Sequence, residues 1–366
     1  MRPEPFALER YFDRYEFTTR YLLCSSDAET LSLGELLALE PGAADALAEL
    51  RLGYSPARGA PELRQAIASL YQQTEADEIL VHGGAQEPIF SFMNVTLEPG
   101  DHVICQFPAY QSQYSIAQAL GAQVSRWNAN LAGDGAPDPD ELAHLLRPTT
   151  RALIITSPNN PTGYVFDAQR FDAVVAFART HGLWLFCDEA YRGSERDPRD
   201  RHPAACDVYE RGISLGTTSK AYGLAGLRVG WIATRDRALY QRMAAFKDYL
   251  TICNSAPSEF LAAVALRHGD ALLARVRAIT TRNLATLDAF FARRPAMFEW
   301  HRPRAGTTAF PRYLGGSAER LCDDLVLRAG VLLLPSTVFD AGDDRVRVGY
   351  GRANLPEALA ALDAVL

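Results

Sequence analysis

The sequence predicts an α/β fold with a mostly parallel seven-stranded sheet covered by helices in a large domain, and a smaller α+β domain built from both ends of the chain. From about residue 76 to 233, short apolar segments alternate with longer helical ones, each bounded by Gly, Pro, Asp or Asn. Long helices rich in Ala, Leu and Arg then follow to about residue 293. The first 45 residues lack the alternation, so we expect a large domain over 46–260 and a small one over 1–45 and 261–366.

The seven predicted strands are short runs of apolar and branched residues at 79–81, 102–105, 124–127, 152–156, 184–187, 213–216 and 229–233. Helices predicted between them, at 86–97, 111–120, 139–146 and 168–181, are long enough to cross over a parallel sheet. Strand-like pieces of the small domain lie near 298–300, 309–313, 331–334 and 345–348. Sheets of this class bind ligands at the carboxyl ends of their strands.

Composition and charge exclude several classes of protein. The 366 residues are 48% hydrophobic and 22% charged, which is typical of a globular chain, and the net charge of -7 disfavours nucleic acid as a partner. No apolar run of about 18 residues predicts a membrane span, and the charged start is unlike a secretory signal. We therefore expect a soluble, cytoplasmic protein. Six scattered cysteines and seven scattered histidines predict neither a disulfide framework nor a metal site.

Several catalytic signatures are absent from the sequence. It has no H-E-x-x-H, no G-x-S-x-G, no Walker loop and no complete G-x-G-x-x-G. Metalloprotease, α/β-hydrolase and P-loop functions are thereby disfavoured. What remains is a set of polar residues that directly follow predicted strands, where an α/β site would lie.

Lysine is rare in this chain, and one of its lysines has unusual surroundings. Lys220 and Lys247 are the only lysines among 37 basic residues, the others being arginines. Lys220 lies in a stretch of small and hydroxyl residues, 216–230, that also contains Arg228. Small residues allow a backbone to approach a ligand closely, and hydroxyl and guanidinium groups bind phosphate. A lysine beside a bound phosphate indicates an aldehyde cofactor.

Groups that pyridoxal phosphate (PLP) requires occur upstream of Lys220. A carboxylate must keep the pyridine nitrogen protonated if the ring is to accept electrons, and Asp188 directly follows an apolar strand. Tyr191 and Asn160 follow strands as well, and each can donate a hydrogen bond to the phenolic oxygen of the ring. Taken by itself, Asp188 is better explained as a helix N-cap at a strand-to-helix turn, so the cofactor interpretation depends on the other residues.

Five motifs in order give the chain a specific resemblance. They are the segments 54–64 (YSPARGAPELR), 83–87 (GGAQE), 160–163 (NPTG), 188–191 (DEAY) and 219–228 (SKAYGLAGLR). Together they resemble the class I/II aminotransferase family of fold-type-I PLP enzymes, over about residues 50 to 350. The resemblance implies a PLP-dependent transferase that moves an amino group between an L-amino acid and a 2-oxo acid.

The resemblance also implies the role of each catalytic residue. Lys220 would form the internal aldimine with PLP and later carry the substrate proton, and Asp188 would pair with the pyridine nitrogen. Tyr191 and Asn160 would contact the ring oxygen, with Asn160 also near the substrate. The residues implied for the phosphate are the backbone of Ala85 and Gln86, Ser219 and Arg228.

Three further residues complete the implied site. Tyr110 would stack on the cofactor ring, and Arg347 would bind the substrate α-carboxylate, although Arg345 and Arg352 lie close to it in sequence. Tyr54 would reach the phosphate of the neighbouring subunit, which implies a homodimer with shared active sites. No metal is implied.

The chain departs from the family pattern on the substrate side. Residues 23–27 (LCSSD) stand where the family usually has a glycine-rich stretch, and 305–310 (AGTTAF) replace its commoner paired glycines. We expect Asp27, Thr307 and Thr308 to suit a polar or basic substrate side chain. The N-terminal region also resembles capreomycidine-synthase-like enzymes, so a PLP-dependent lyase or cyclase remains an alternative. A PLP-sensing regulator without catalysis is a further alternative, although no basic helix-turn-helix precedes Tyr54.

Overall fold

The computed structural model describes residues 1–133 and 135–366 as alternating helices and strands. The α-helices of these residues are α1 Ala7–Tyr15, α2 Leu33–Leu37, α3 Ala43–Ala48, α4 Pro61–Ala68, α5 Gln86–Thr96, α6 Ser112–Ala119, α7 Leu142–Leu145, α8 Ala168–Thr180, α9 Ala205–Val208, α10 Arg237–Lys247, α11 Ala256–Arg267, α12 Gly269–Ala292, α13 Ala318–Ala329 and α14 Leu355–Asp363. None of these helices is long and apolar enough to cross a membrane.

The seven strands predicted for the central sheet are confirmed. They are β1 Ile79–His82, β2 His102–Phe107, β3 Gln123–Asn128, β4 Thr150–Thr156, β5 Trp184–Asp188, β6 Gly212–Thr217 and β7 Gly230–Thr234, in the spatial order β1-β7-β6-β5-β4-β2-β3. Strands β2 to β6 run parallel, and β7 is antiparallel to both of its neighbours. The sheet is therefore mostly parallel, as the α/β prediction requires.

The central strands are apolar on both faces because helices cover both sides of the sheet. In β4, for example, Ala152 and Ile154 pack with α5, α6 and α10, whereas Leu153 and Ile155 face the other way, toward α8. The in-register pairing of β4 with β5 sets Thr156 opposite Asp188. The carboxyl ends of the parallel strands thus meet at one edge, which collects the polar residues that follow them.

The remaining strands are short and belong to the C-terminal part of the chain. They are β8 Phe298–Glu299, β9 Thr308–Ala309, β10 Arg312–Tyr313, β11 Leu334–Pro335 and β12 Val346–Gly349. Strand β12 pairs with β9 and β11, and β8 pairs with β10. The strand predicted at 309–313 is split in two at Pro311, which has no N–H for a ladder. The strand predicted at 331–334 is wrong except at Leu334, where β11 begins. Val331 makes only an isolated bridge with Tyr21.

The first residues of the chain pack with this C-terminal part. Leu23 lies in one buried cluster with Leu284, Val346 and Val348. This contact agrees with the expectation that both chain ends contribute to one unit. The domain boundaries themselves, at 45/46 and 260/261, stay a prediction.

Candidate active site

A cavity of about 410 Å³ opens at the carboxyl edge of the sheet, between the start of α5, helix α1 and residues 25–27. Ten of the eleven residues predicted for the site border it: Ala85, Gln86, Tyr110, Asn160, Asp188, Tyr191, Ser219, Lys220, Arg228 and Arg347. These residues come from positions spread over 260 residues of sequence, and the fold brings them together.

Asp188 lies at the end of β5 with both carboxylate oxygens held by donors. Its Oδ2 accepts a hydrogen bond from Gln113 Nε2 at 2.9 Å, and its Oδ1 accepts one from the backbone N–H of Ala190 at 3.1 Å. Gln113 is itself fixed, because its Oε1 accepts from the hydroxyl of Thr156. Burial raises the pKa of Asp188 to about 6, so a cationic partner in the cavity would stabilise its ionised form.

Lys220 extends into the same cavity from the loop that follows β6. Its Nζ donates a hydrogen bond to Ser26 Oγ at 2.8 Å. Burial, and then the positive charge of Arg347, lower the pKa of Lys220 to about 8. An amine with this pKa is partly unprotonated near neutral pH, which suits a nucleophile and a base.

The start of helix α5 provides an anion-binding corner. Ala85, the N-cap residue, contributes no side-chain cap, so the first backbone N–H groups of the helix are left for a ligand. Gly84 has a φ of 86°, and a Cβ added there would come within 2.5 Å of Arg228 Nη2. The guanidinium of Arg228 therefore lies against the bare backbone at this corner, and Ser219 borders the same cavity.

Arg347, unlike the nearby Arg345, borders the cavity. Its side chain is buried, with Nε donating to the carbonyl of Cys24 at 3.0 Å and Nη1 donating to Asn160 Oδ1 at 3.1 Å. Its Nη2 is also buried and has no hydrogen-bond partner among the described residues. Arg345 instead donates to the backbone carbonyls of Phe310 and Leu131. An unpaired buried N–H at this place is a site for a carboxylate.

The tyrosines predicted to contact the cofactor make contacts with the N-terminal part of the chain. Tyr191 donates its hydroxyl to the carbonyl of Ser26 at 3.2 Å, and burial raises its pKa. Tyr110 donates to Glu9 Oε1 at 3.0 Å. Both tyrosines border the cavity, as predicted.

Tyr54 is the predicted residue that does not border the cavity of its own chain. Its side chain is 93% exposed, on a surface shared with residues 253–257. This exposure is compatible with the prediction that Tyr54 acts in a neighbouring subunit, which stays a prediction.

One expectation for the substrate side is wrong. Thr307 and Thr308 do not border the cavity. Thr307 is buried and donates its hydroxyl to the carbonyl of Ser26, and Thr308 pairs with Gly349 between β9 and β12. Asp27, by contrast, does border the cavity as expected.

Sequence reasoning missed an acidic wall on the substrate side. Glu9 and Glu16, which lie seven positions apart and so share one face of α1 and its end, border the cavity together with Asp27. Asp27 is held by Arg352, whose Nε and Nη2 donate to its two oxygens at 3.0 and 2.9 Å. Burial raises the pKa of Glu16. The seven-residue spacing was the signal that could have found this face.

The residues of the cavity fit pyridoxal phosphate. The uncapped helix start with Arg228 suits its phosphate, the buried carboxylate of Asp188 suits a protonated ring nitrogen, and the amine of Lys220 suits its aldehyde. The described residues contain no group of His, Cys, Asp or Glu that could hold a metal ion.

Comparison with known proteins gives the same result. Residues 23–362 match the family "Aminotransferase class I and II". Among curated proteins, the chain is similar to capreomycidine synthase of Streptomyces vinaceus, with 31% identity over 99% of this chain and 92% of the relative.

Solved structures extend this likeness over the whole chain. A PLP-dependent aminotransferase from Streptococcus suis is 31% identical with a TM-score of 0.94, and the match covers 100% of this chain and 98% of the other. The PLP-dependent cyclase OrfR is 30% identical with a TM-score of 0.92 and the same coverage. The chain thus belongs to the class I and II aminotransferase family, and it is a PLP-dependent transferase.

Proposed function

We propose that the chain transfers an amino group from a basic L-amino acid to a 2-oxo acid, with PLP attached to Lys220. The observation that carries this proposal is the single cavity in which the lowered-pKa amine of Lys220, the carboxylate of Asp188 and the unpaired Nη2 of Arg347 all lie. These three groups are the ones that transamination requires: a base, a charge partner for the ring and a carboxylate binder.

The residues divide the chemical work between them. PLP, when bound, supplies an electron sink that stabilises negative charge at the substrate Cα. Arg347 holds the α-carboxylate through Nη1 and Nη2, which orients the Cα–H bond. Lys220 Nζ, when it is not bonded to the cofactor, would accept the Cα proton and deliver it to the aldehyde-derived carbon of the cofactor, so that the amino group stays with the cofactor and the substrate leaves as a 2-oxo acid. Asp188, held by hydrogen bonds from Gln113 and Ala190, would supply the negative charge that keeps the ring nitrogen protonated.

The acidic wall supports a basic substrate. Glu9, Glu16 and Asp27 bring three carboxylates to the cavity, and Arg352 balances one of them through its bidentate pair with Asp27. A cationic side chain that extends from Cα toward α1 would gain attraction there, and an acidic one would be repelled. The same repulsion favours an oxo-acid acceptor without a second carboxylate.

The test is a spectroscopic one on the purified holoenzyme. Basic, acidic and aromatic amino acids are added one at a time without any oxo acid, and the visible absorbance of the bound cofactor is followed. We expect conversion to the pyridoxamine form with one equivalent of 2-oxo acid, and only for basic amino acids. Conversion by aspartate but not by arginine, lysine or ornithine would contradict the proposed substrate class.

Charge-removing variants test the wall directly. We expect Glu16→Gln to lower kcat/KM for a basic amino acid by about 3- to 10-fold, because a partly buried charge pair is worth about 1 kcal/mol. The kcat/KM for a neutral amino acid serves as the internal control and should change by less than about 2-fold. Glu319→Gln, in the first turn of α13, is a matched control outside the cavity.

A lyase or cyclase is the second candidate function. It is favoured by the likeness to capreomycidine synthase and to the cyclase OrfR, each at 30% identity or more and across nearly the whole chain. The same absorbance experiment separates the two candidates. An amino acid that is consumed while the cofactor stays in its aldehyde form, with no 2-oxo acid released, supports the lyase or cyclase and contradicts transamination.

We propose further that the enzyme is a cytoplasmic homodimer in which Tyr54 completes the partner's phosphate site. The large apolar side chains of Leu52, Tyr54, Tyr249 and Ile252 are all exposed, which supports this, and the Ser55 hydroxyl connects the segments near Tyr54 and Ile252 by donating to the carbonyl of Asn254. Mixing inactive Tyr54→Ala with inactive Lys220→Ala protein should restore part of the activity in mixed dimers. A monomer in solution would contradict the proposal.

A further inference from the structure

Ser26 occupies a fixed place beside the amine of Lys220. Its Oγ accepts the hydrogen bond from Lys220 Nζ at 2.8 Å. Its backbone carbonyl accepts two more hydrogen bonds, from the Tyr191 hydroxyl at 3.2 Å and from the Thr307 hydroxyl at 2.8 Å. Three contacts from three separate parts of the fold thus converge on this one residue.

These contacts make the position of the hydroxyl well defined. The carbonyl is held from two sides, so the short side chain of Ser26 has little freedom other than rotation about one bond. The Lys220 side chain, by contrast, has a flexible four-carbon stem, and it loses rotamer freedom when its amine is held by a hydrogen bond. A fixed acceptor therefore limits where Nζ can lie once it is no longer bonded to the cofactor.

We infer that Ser26 is a positioning residue for Lys220. The Ser26 hydroxyl holds the released Lys220 amine beside the substrate Cα. This inference rests on the proposed function, because it concerns the step in which Lys220 takes the Cα proton. In that step the Cα–H bond breaks, the proton joins Nζ and the electron pair stays on the substrate carbon. The ammonium so formed donates to Ser26 Oγ, which favours its charged form.

Charged groups also face Lys220 from several elements, and the test must separate them from Ser26. Arg347 on β12 lowers its pKa, whereas Asp27, Asp188 on β5 and Glu9 on α1 raise it. Ser26 is a neutral hydroxyl among these charges. Replacing it changes one hydrogen bond and leaves every charge in place, so an effect on the Lys220 amine is attributable to that bond.

The small number of lysines makes the amine directly observable. In full-length protein freed of cofactor and labelled with ¹³Cε-lysine, only Lys220 and Lys247 give NMR signals, and Lys220→Ala assigns them. We expect Ser26→Ala to lower the midpoint of the Lys220 titration by about one pH unit, the size of one hydrogen bond to a charged group. Ser26→Thr, which keeps a hydroxyl, should restore the original midpoint.

The holoenzyme supplies the kinetic part of the test. We expect Ser26→Ala to lower kcat about 10-fold with KM changed less than about 2-fold, because the bond acts on the base and not on substrate binding. Ser26→Thr should recover most of kcat. Ser91→Ala is the matched control, since Ser91 is a buried serine on α5 whose hydroxyl has no hydrogen-bond partner among the described residues.

Two results would overturn the inference. One is a Lys220 titration that is the same in Ser26→Ala and in the parent protein, and the other is a loss confined to KM. Failure of the proposed function would look different, because borohydride reduction of the holoenzyme would then leave no cofactor on Lys220. The titration needs no cofactor and no substrate, so it tests Ser26 independently of that outcome.

Discussion

The two sides of the cavity are built in different ways. The side proposed for the cofactor consists of loops that follow β1, β2, β4, β5 and β6, together with the start of α5. The side proposed for the substrate consists of α1, residues 25–27 and the strand β12 with the turn after it, which come from opposite ends of the chain. One side is a rigid sheet edge, and the other is an assembly of short segments laid across it.

This difference teaches where the chemistry and the selectivity reside. The sheet edge carries the groups that fit PLP, with Asp188 placed by strand pairing and the anion-binding corner formed by the backbone of a helix start. The opposite side carries the charges that face the substrate side chain, held mainly by side-chain contacts such as the pair between Arg352 and Asp27. Changes on the first side should abolish the reaction, and changes on the second should redirect or weaken it.

The largest expected effect lies on the cofactor side, at Lys220. We expect Lys220→Ala to keep the fold and to lose covalent attachment of PLP, with kcat reduced at least about 10³-fold, because the base and nucleophile is removed. Borohydride reduction followed by peptide mass spectrometry of the parent protein should place the cofactor on Lys220. A reduced adduct on Lys247 would contradict this assignment.

Asp188 should rank second. We expect Asp188→Asn to lower kcat by about 10²–10³-fold, because the neutral amide no longer stabilises a positive charge on the ring nitrogen. Gln113→Leu, which removes the donor to Asp188 Oδ2, should cost less, since the carboxylate itself remains. Equal losses in the two variants, measured as kcat at saturating substrate, would mean that the charge of Asp188 is not what matters.

On the substrate side, replacing Arg347 should have a smaller effect, and it should act on KM more than on kcat. We expect Arg347→Gln to lower kcat/KM by about 10- to 100-fold, mostly through KM, because charge-assisted hydrogen bonds to the α-carboxylate are lost. Arg312→Gln, which removes a half-exposed arginine paired with Asp344, is the control and should leave both constants unchanged. A loss confined to kcat would refute the carboxylate-binding role.

The smallest expected effect couples the two sides through pH. Because burial and Arg347 lower the pKa of Lys220 to about 8, the unprotonated amine becomes scarcer as pH falls below that value. We expect kcat to fall by up to about 10-fold per unit below this pH. Since the charge of Arg347 lowers the pKa of Lys220, Arg347→Gln should move the acidic limb of the kcat–pH profile to higher pH. An acidic limb at the same pH in Arg347→Gln would show that Arg347 does not affect the titration of Lys220.

The sequence predicts the cofactor side of the cavity better than the substrate side. The seven strands were predictable from their short apolar runs, and ten of the cavity residues were predictable because contiguous motifs carry the family resemblance that assigns them; some, such as Asp188 at the end of β5, also directly follow an apolar run. Nothing in local spacing places Ser26 beside Lys220, 194 positions away, or Gln113 beside Asp188. The expectation for Thr308 was wrong because strand pairing with Gly349, which is a long-range contact, takes it away from the cavity.

Helix α1 has a consequence for how enzymes of this architecture could diverge. It is nine residues long and contributes Glu9 to the cavity, while Glu16 follows at its end. Substitutions in this one peripheral helix can alter the charge presented to a substrate without disturbing the strand ends that fit PLP. Substitutions in α1 can therefore change which amino acid is accepted, while the residues that carry out the chemistry stay the same.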